Sequence, residues 1–276
     1  MSSIRALLGL GVALLLCPTR ALAQERFFPA VKSFELPEAS PRAYGLVGRV
    51  LSIRRGESRF GAEREGEAIL GENLPVVALK RGPRPIVLGI GSQAYGRFSL
   101  DDSKSALISM DWVAGLNTTA VLGVWALTLQ LYHESSHLAD EYANDFGAGR
   151  LDWTREVIAG WASFRSGDWR LTGGASYALD DGLKLPRTGA ALGIDFHGNR
   201  HRAYARTVQP VIGLYTEAIS ATRWRLSSSA KMGVAFVGEE GPRLGVALIA
   251  HDGLSTQRQF FREESQYIGL ELRIDL

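Results

Sequence analysis

The last ten residues of the chain, Tyr267-Ile268-Gly269-Leu270-Glu271-Leu272-Arg273-Ile274-Asp275-Leu276, alternate without a break. Ile268, Leu270, Leu272, Ile274 and Leu276 form one wholly apolar face; Tyr267, Gly269, Glu271, Arg273 and Asp275 form the other. Successive side chains of a strand point to opposite faces, so this period of two reads as a β-strand lying between an apolar and a polar medium. The pattern recurs upstream. Trp224, Leu226, Ala230, Met232, Val234 and Phe236 share a face, with Arg225, Ser227, Ser229 and Lys231 opposite. Trp169, Leu171, Ala175, Tyr177 and Leu179 alternate with Arg170, Thr172, Ser176 and Asp180, and Ala106, Ile108, Met110, Trp112 and Leu116 alternate with Ser105, Ser109 and Asp111.

Carried through the chain, this reading predicts strands at 42–54, 67–81, 85–99, 105–116, 118–135, 152–165, 168–180, 188–198, 203–220, 223–237, 242–251 and 264–276. Pro75 and Pro210 fall inside two of them, where a residue without an N–H is awkward. Connections after odd-numbered strands tend to be long (55–66, 136–151, 181–187, 252–263), and those after even-numbered strands are mostly short, down to the single Asn117. The pair Ala221-Thr222 breaks that trend. Long loops at one end, tight turns at the other and an even strand number are the plan of an outer-membrane barrel. The expected fold is all-β, an antiparallel transmembrane β-barrel of about twelve strands.

Composition agrees. Residues 1–23 read as a secretory signal peptide, with Arg5, an apolar run over 6–16 and the small-residue site Ala21-Leu22-Ala23. Residues 24–40 then form an unpatterned periplasmic leader, and 41–276 the barrel. The single cysteine, Cys17, belongs to the signal, so neither a disulfide scaffold nor a thiolate metal site is expected. Lys and Arg number 31 against 29 Asp and Glu, and removal of Arg5 and Arg20 makes the two equal. A neutral chain without basic clusters has no electrostatic footprint for nucleic acid. Past residue 23 no apolar run approaches the ~18 residues of a membrane helix, and 46% hydrophobic content is too high for disorder.

Alternation alone does not say which face is inside; a soluble ligand-binding barrel buries its apolar face, whereas a membrane barrel turns it outward. The polar faces here carry Gly, Ser, Thr and charges, which suits a hydrogen-bonded lumen. Arg49, Arg155, Glu156, Asp195, Arg225, Lys231, Glu271 and Arg273 are read as a lumenal ion-pair network. Trp153 and Trp161 share a face, about 26 Å apart at ~3.3 Å per residue, which suggests two interfacial girdles. His197, His201 and His251 are read as strand ends or loops.

One segment is chemically dense: residues 132–142, Tyr-His-Glu-Ser-Ser-His-Leu-Ala-Asp-Glu-Tyr. Val121, Trp125, Leu127, Leu129 and Leu131 hold the odd face of the strand that leads into it, and Thr128 and Gln130 the even face. Continued without a bulge, the pleat puts His133 and Ser135 side by side on the lipid-facing side. A serine hydroxyl becomes a useful nucleophile when a base within ~3 Å takes its proton, and an imidazole two residues away on one face can come close to that. Asp140, Glu141 and Asp145 are loop candidates for a third group, while Asp152 and Glu156 are expected on the lumenal face of the sixth strand.

Two resemblances bear on these residues. The His133-x-Ser135 pair, high on a lipid-facing strand, resembles the pair with which outer-membrane phospholipase A and the lipid A deacylase cleave acyl esters. Those families follow the serine with Asn where this chain has Ser136, and place an Asn or Glu about twelve residues later, where this chain has Gly147. His133-x-Ser135-Ser136-His137-x-x-Asp140-Glu141 is similar to the hallmark of an uncharacterised bacterial family of predicted outer-membrane proteins. The final strand, through Tyr267, Gly269, Leu272 and Ile274, also resembles the signal read by the barrel-assembly machinery, although it ends in Leu276 rather than an aromatic residue. These resemblances imply an outer-membrane location, membrane lipids and the assembly machinery as partners, and a lipid acyl-ester hydrolase without cofactor. Ser136, His137, Asp140 and Glu141 would be helpers of the catalytic His133 and Ser135.

Other readings stay open. His133-Glu134-Ser135-Ser136-His137 has the H-E-x-x-H spacing of zinc proteases, which needs a helix to bring both imidazoles to one metal. The segment ahead of it has period two, which speaks against that helix. The cluster can also be a solvated loop on a pore or on a ligand-binding or structural barrel.

Overall fold

In a computed structural model, residues 26–29, 34–56, 63–81, 84–101, 106–203, 206–237 and 242–275 are described. The expected signal peptide, Cys17 and Leu276 lie outside them. Twelve strands close into one antiparallel barrel. They are β1 (Gly45–Arg55), β2 (Arg64–Arg81), β3 (Arg84–Ser99), β4 (Leu107–Leu122), β5 (Trp125–Leu138), β6 (Trp153–Ser166), β7 (Trp169–Asp181), β8 (Thr188–His197), β9 (Arg206–Ile219), β10 (Ser227–Val237), β11 (Arg243–Leu254) and β12 (Glu264–Asp275). Each pairs with its neighbours in sequence, and β12 pairs with β1 to close the ring. A short helix, α1 (Asp140–Phe146), lies in the connection after β5. Two short strands, Arg26–Phe27 and His201–Ala203, pair with β2 and β9 outside the ring.

The faces follow the sequence pattern in inverted form. Leu127, Leu129 and Leu131 on β5 and Ile268, Leu270 and Leu272 on β12 are exposed. Arg49, Glu67, Arg97, Asp111, Asp195 and Glu271 are buried. A soluble protein does the reverse; apolar side chains outside and charges inside are what a lipid-embedded barrel requires. Aromatic residues mark both ends of the apolar band. Trp125 packs at a tilt against Phe164 at 4.8 Å and Trp169 against Phe196 at 4.9 Å at the short-turn rim, while Trp112, Tyr177 and Trp224 are exposed toward the long-loop rim.

Departures from the expected pattern have local causes. The turn expected at Asn117 occurs at Gly123-Val124, with Gly123 at φ +67°. Asn117 instead points into the lumen, where its side-chain amide donates to Asn73 Oδ1 at 2.7 Å. Pro75 sits at a register shift in the β2–β3 ladder, the place where a missing donor costs least. Pro210 lies just past the last β8–β9 pair, and its carbonyl accepts from the Gly198 N–H at 2.9 Å. Trp153 and Trp161 are not girdle residues: both point inward, donating to Glu134 at 3.0 Å and Gln130 at 2.8 Å. A buried indole N–H needs an acceptor, and the lumen supplies one. Arg225 is not lumenal; it lies exposed beside Glu264 at 2.7 Å on the long-loop rim. His251, expected at a strand end or loop, lies within β11, where Ser229 Oγ meets its Nδ1 at 2.9 Å.

The leader, expected over 24–40, continues to the start of β1 at Gly45. From Phe34 it runs inside the lumen to Tyr44, bound to the wall throughout. Phe34 lies against Trp161 at 5.6 Å, and its carbonyl accepts from Asn73 Nδ2 at 3.1 Å. Glu35 pairs with Arg170 at 2.9 Å. Glu38 pairs with Lys231 at 3.1 Å and Arg243 at 3.0 Å, while its backbone N–H donates to Asp195 at 2.8 Å. The Pro41 and Arg42 carbonyls each accept at 2.9 Å, from Arg49 Nη1 and the Tyr95 hydroxyl. Gly193 makes room for it: a Cβ there would lie 2.4 Å from the Pro37 ring.

A lumen filled in this way is expected not to conduct. The full chain in a planar bilayer is expected to give no sustained stepwise current, and a variant lacking residues 34–44 is expected to give one. A wild-type conductance equal to that of the deletion would show that the leader is not a plug. Asp195→Ala, which strips Arg170 and the Glu38 N–H of their shared partner, is expected to cost ~3–5 kcal/mol in denaturant unfolding.

Candidate active site

The site begins with the parity of β5. Its odd residues face outward and its even residues inward, from the exposed Leu127, Leu129 and Leu131 against the buried Thr128 and Gln130 to the far end of the strand. His133, Ser135 and His137 therefore continue the outward row, and Glu134 and Ser136, both buried, continue the inward one. Trp125 at the lower girdle and Ser135 are ten residues apart, which projects to about 23 Å for a strand tilted ~45° at ~3.3 Å per residue. An outer-membrane barrel's apolar band is ~25 Å tall. Ser135 thus sits at the upper edge of that band, paired across the ladder with the exposed Trp112 on β4 and with Thr154 on β6.

His133 has a partner. It lies directly opposite Glu156 in the β5–β6 ladder, and its Nδ1 is 2.8 Å from Glu156 Oε1. The side chains are 43% and 40% exposed, so the pair is accessible from outside. Glu156 faces out because β6 has the opposite parity from that expected: Trp153, Arg155, Val157 and Ala159 are the buried set. A register shift after Glu156 in the β6–β7 ladder lets Arg155 reach Asp181 inside at 3.1 Å while Glu156 stays outside. The expectation of a lumenal Glu156 is corrected here. The two inward tryptophans misled it, since on this strand neither face is uniformly apolar.

With Nδ1 engaged by a carboxylate, the imidazole's Nε2 is left for another group, and Ser135 lies two residues along the same face. The Ser135 hydroxyl hydrogen-bonds to none of the described residues. Nucleophile, imidazole and carboxylate on one surface are the elements of a serine hydrolase triad; the catalytic hydrogen bonds of such sites often tighten only when substrate binds.

The other predicted helpers lie elsewhere. Ser136 points inward and donates to Asp111. Asp140, exposed on the first turn of α1, is ion-paired with Arg150. Glu141 follows it, exposed, and the carboxylate at His133 is Glu156 rather than either of them. His137 is exposed one outward position beyond Ser135. The zinc-protease arrangement is not formed. On a strand His133 and His137 are about 13 Å apart along the chain, whereas zinc needs both nitrogens at ~2.1 Å. Glu134 is inside, held by Arg42, Arg258 and Trp153. Among the described residues no group of three His, Cys, Asp or Glu is placed to hold a metal.

Behind the site lies a lumenal cavity of about 130 Å³ lined by Tyr44, Tyr95, Tyr132, Tyr215 and Trp161, facing small residues of β7 and β8 such as Gly174 and Ala190.

Residues 42–275 match a family described as "Protein of unknown function (DUF1207)", and the chain belongs to that family. No curated protein matches the sequence. Among solved structures, the barrel is similar to the outer membrane phospholipase of Salmonella typhi, a dimer with bound calcium, with a TM-score of 0.60 and 11% identity over 87% of this chain and 92% of that one. It is similarly related to outer membrane phospholipase A from Escherichia coli, with a TM-score of 0.59 and 10% identity over 87% and 94% of the two chains. At such identity the likeness is one of fold: this is a β-barrel of the outer-membrane type.

The inward parity of Ser136 and Trp153 yields a stability prediction. Ser136→Ala and Trp153→Phe each remove a donor from a buried carboxylate, Asp111 or Glu134. Each is expected to lower unfolding free energy by ~1–3 kcal/mol. Ser135→Ala, on the outer face, should change it by less than ~0.5 kcal/mol. Equal losses from Ser135→Ala and Ser136→Ala would contradict the assigned faces.

Proposed function

We propose that this barrel resides in the bacterial outer membrane and hydrolyses lipid acyl esters, with Ser135 as nucleophile, His133 as general base and Glu156 as the carboxylate that orients it. The observation that carries the reading is the 2.8 Å contact between His133 and Glu156 beside an outward-facing Ser135. Polar side chains are unfavourable on the lipid face except near its edge, and these three lie at that edge. The ester linkages of a membrane lipid lie between its acyl chains and its headgroup, at the same level. A lipid can therefore meet Ser135 without leaving the bilayer, with Trp112 beside it. The fold shared with proteins named outer membrane phospholipases offers a precedent for this scaffold; the residues carry the assignment.

The chemistry is a two-step acyl transfer. The Ser135 hydroxyl attacks the ester carbonyl as His133 Nε2 takes its proton, and the imidazolium is balanced by Glu156. The C–O bond to the alcohol breaks as His133 returns that proton to the departing oxygen. Water, deprotonated by His133, then cleaves the acyl-serine and releases a free acid. No cofactor is invoked. Membrane lipids are the substrates, and the barrel-assembly machinery inserts the protein through the pattern of β12.

A non-catalytic reading rests on a different observation. The 130 Å³ lumenal cavity suits a ligand-binding barrel, in which the outer triad is inert.

The test is hydrolysis of phospholipid and lipid A in mixed micelles. Ser135→Ala and His133→Ala are expected to lower kcat by ~10³-fold or more, and Glu156→Gln by ~10²–10⁴-fold, with less-than-additive combinations. Glu134→Gln and chelator test the zinc alternative, and both should spare the ester chemistry of the outer face more than Ser135→Ala does. Activity that survives Ser135→Ala would remove Ser135 as the nucleophile, and none on any ester would leave the non-catalytic reading. Recovery of the protein as a soluble periplasmic species would remove the membrane assignment with it.

A further inference from the structure

We infer that Arg42, carried by the leader inside the lumen, is a positioning residue for the outward Ser135–His133 pair, so that the seated leader holds the site in working geometry; this rests on the hydrolase reading above. The link is the alternation of β5. Residues 133 and 135 point out while 134 and 136 point in, so whatever fixes the inner pair fixes the direction of the outer pair.

The inner pair is gripped from three distant parts of the chain. Arg42 reaches Glu134 with Nη1 and Asp111 with Nη2, and the same guanidinium donates to the Thr256 carbonyl at 3.0 Å. Asp111 on β4 accepts from the Ser136 hydroxyl and from the Arg258 backbone N–H at 3.0 Å. Arg258, in the connection after β11, also pairs with Glu134 at 2.9 Å. Gln259 in that connection donates to the Ser136 and Leu151 carbonyls at 2.8 and 2.9 Å. That ties the end of β5 to the approach of β6, the strand that carries Glu156.

Charge makes Arg42 necessary rather than incidental. Two carboxylates, Glu134 and Asp111, meet two arginines, Arg42 and Arg258. The carboxylate side chains are only 6% and 0% exposed. Without Arg42, Glu134 keeps Arg258 but Asp111 keeps only the Ser136 hydroxyl and the Arg258 backbone N–H, and a buried charge without its partner is strongly unfavourable. The relief available is a shift of β5 or protonation of an acid, and a shift of β5 moves Ser135 and His133 together. Arg42 lies three residues ahead of Gly45, where β1 begins, so this contact depends on the leader being inside the barrel.

The experiment uses full-length protein in mixed micelles and a phosphatidylcholine with a fluorogenic acyl ester, reading kcat and KM separately. Arg42→Met is expected to lower kcat about tenfold or more, with KM within about threefold, since small displacements of reacting groups act on the chemical step. Heat-modifiable gel mobility reports that the barrel remains folded. The double variant Arg42→Met/Glu134→Gln restores the charge balance and is expected to recover part of the lost kcat, which a general loosening of the lumen would not allow. If Arg42→Met does not fold, Arg42→Lys decides: it keeps the charge but loses the fork that spans both acids, and its kcat should fall about threefold or more. Unchanged kcat in the variant that decides, or a double variant no better than the single, overturns the inference. Activity lost in Ser135→Ala but kept in Arg42→Met overturns the coupling and leaves the hydrolase; a wild type inactive on this ester and on lipid A removes both.

Discussion

A charged side chain turned into a barrel must find a counter-charge inside it, and here five such pairs lie directly opposite one another in the ladder itself. Arg49 lies directly opposite Glu67 on one side and Glu271 on the other. Arg97 lies opposite Glu67, Arg155 opposite Asp181, and Arg170 opposite Asp195. Each is also an ion pair, at 2.5 to 3.1 Å. A slip of one residue would turn every such group to the lipid side, where a midplane Arg or Lys costs ~2–4 kcal/mol. The pairs therefore specify register as much as they add stability, since buried ion pairs are weak net stabilisers but costly to break. The Arg49–Glu271 pair does this at the seam between first and last strands.

The leader completes that electrostatic set. Glu38 meets Lys231, Arg243 and His197, and Arg42 meets Glu134 and Asp111. Wall and plug are thus one network, and β5 faces both ways from it. Its inner row belongs to the network, whereas its outer row passes from leucine to histidine and serine at the upper edge of the apolar band. Glu156 joins that outer row through the register of the β5–β6 ladder.

Most of the barrel was legible because period-two alternation is long and local. Twelve strands were expected and twelve form, with one turn displaced from Asn117 to Gly123-Val124, and His133 and Ser135 face out because four preceding side chains of β5, Trp125, Leu127, Leu129 and Leu131, set the parity. What failed was non-local. Trp153 and Trp161 looked lipid-facing because indole is common at interfaces, yet their N–H groups had acceptors on β5 inside the lumen. That misreading hid Glu156, whose face is decided by its pairing with His133 across the connection that holds α1. The register of that hairpin, applied to the parity of β5, was the available signal, but a connection of fourteen residues (139–152) leaves it undetermined in sequence. The leader gave no pattern because its contacts are with individual side chains of the wall, far away along the chain. Helix α1 was also missed; it is short, and Tyr142 pins it against Phe260 of another connection at 5.5 Å.

The seam has a consequence in time. Arg49 and Glu271 are 222 residues apart, so the ring stays open until its last strand is in place. The plug precedes β1 in the chain and joins it without a break at Gly45, so seating the leader and closing the seam are linked steps. Contacts of such sequence separation form late and slowly. The order of events therefore decides whether the leader ends inside or outside the ring.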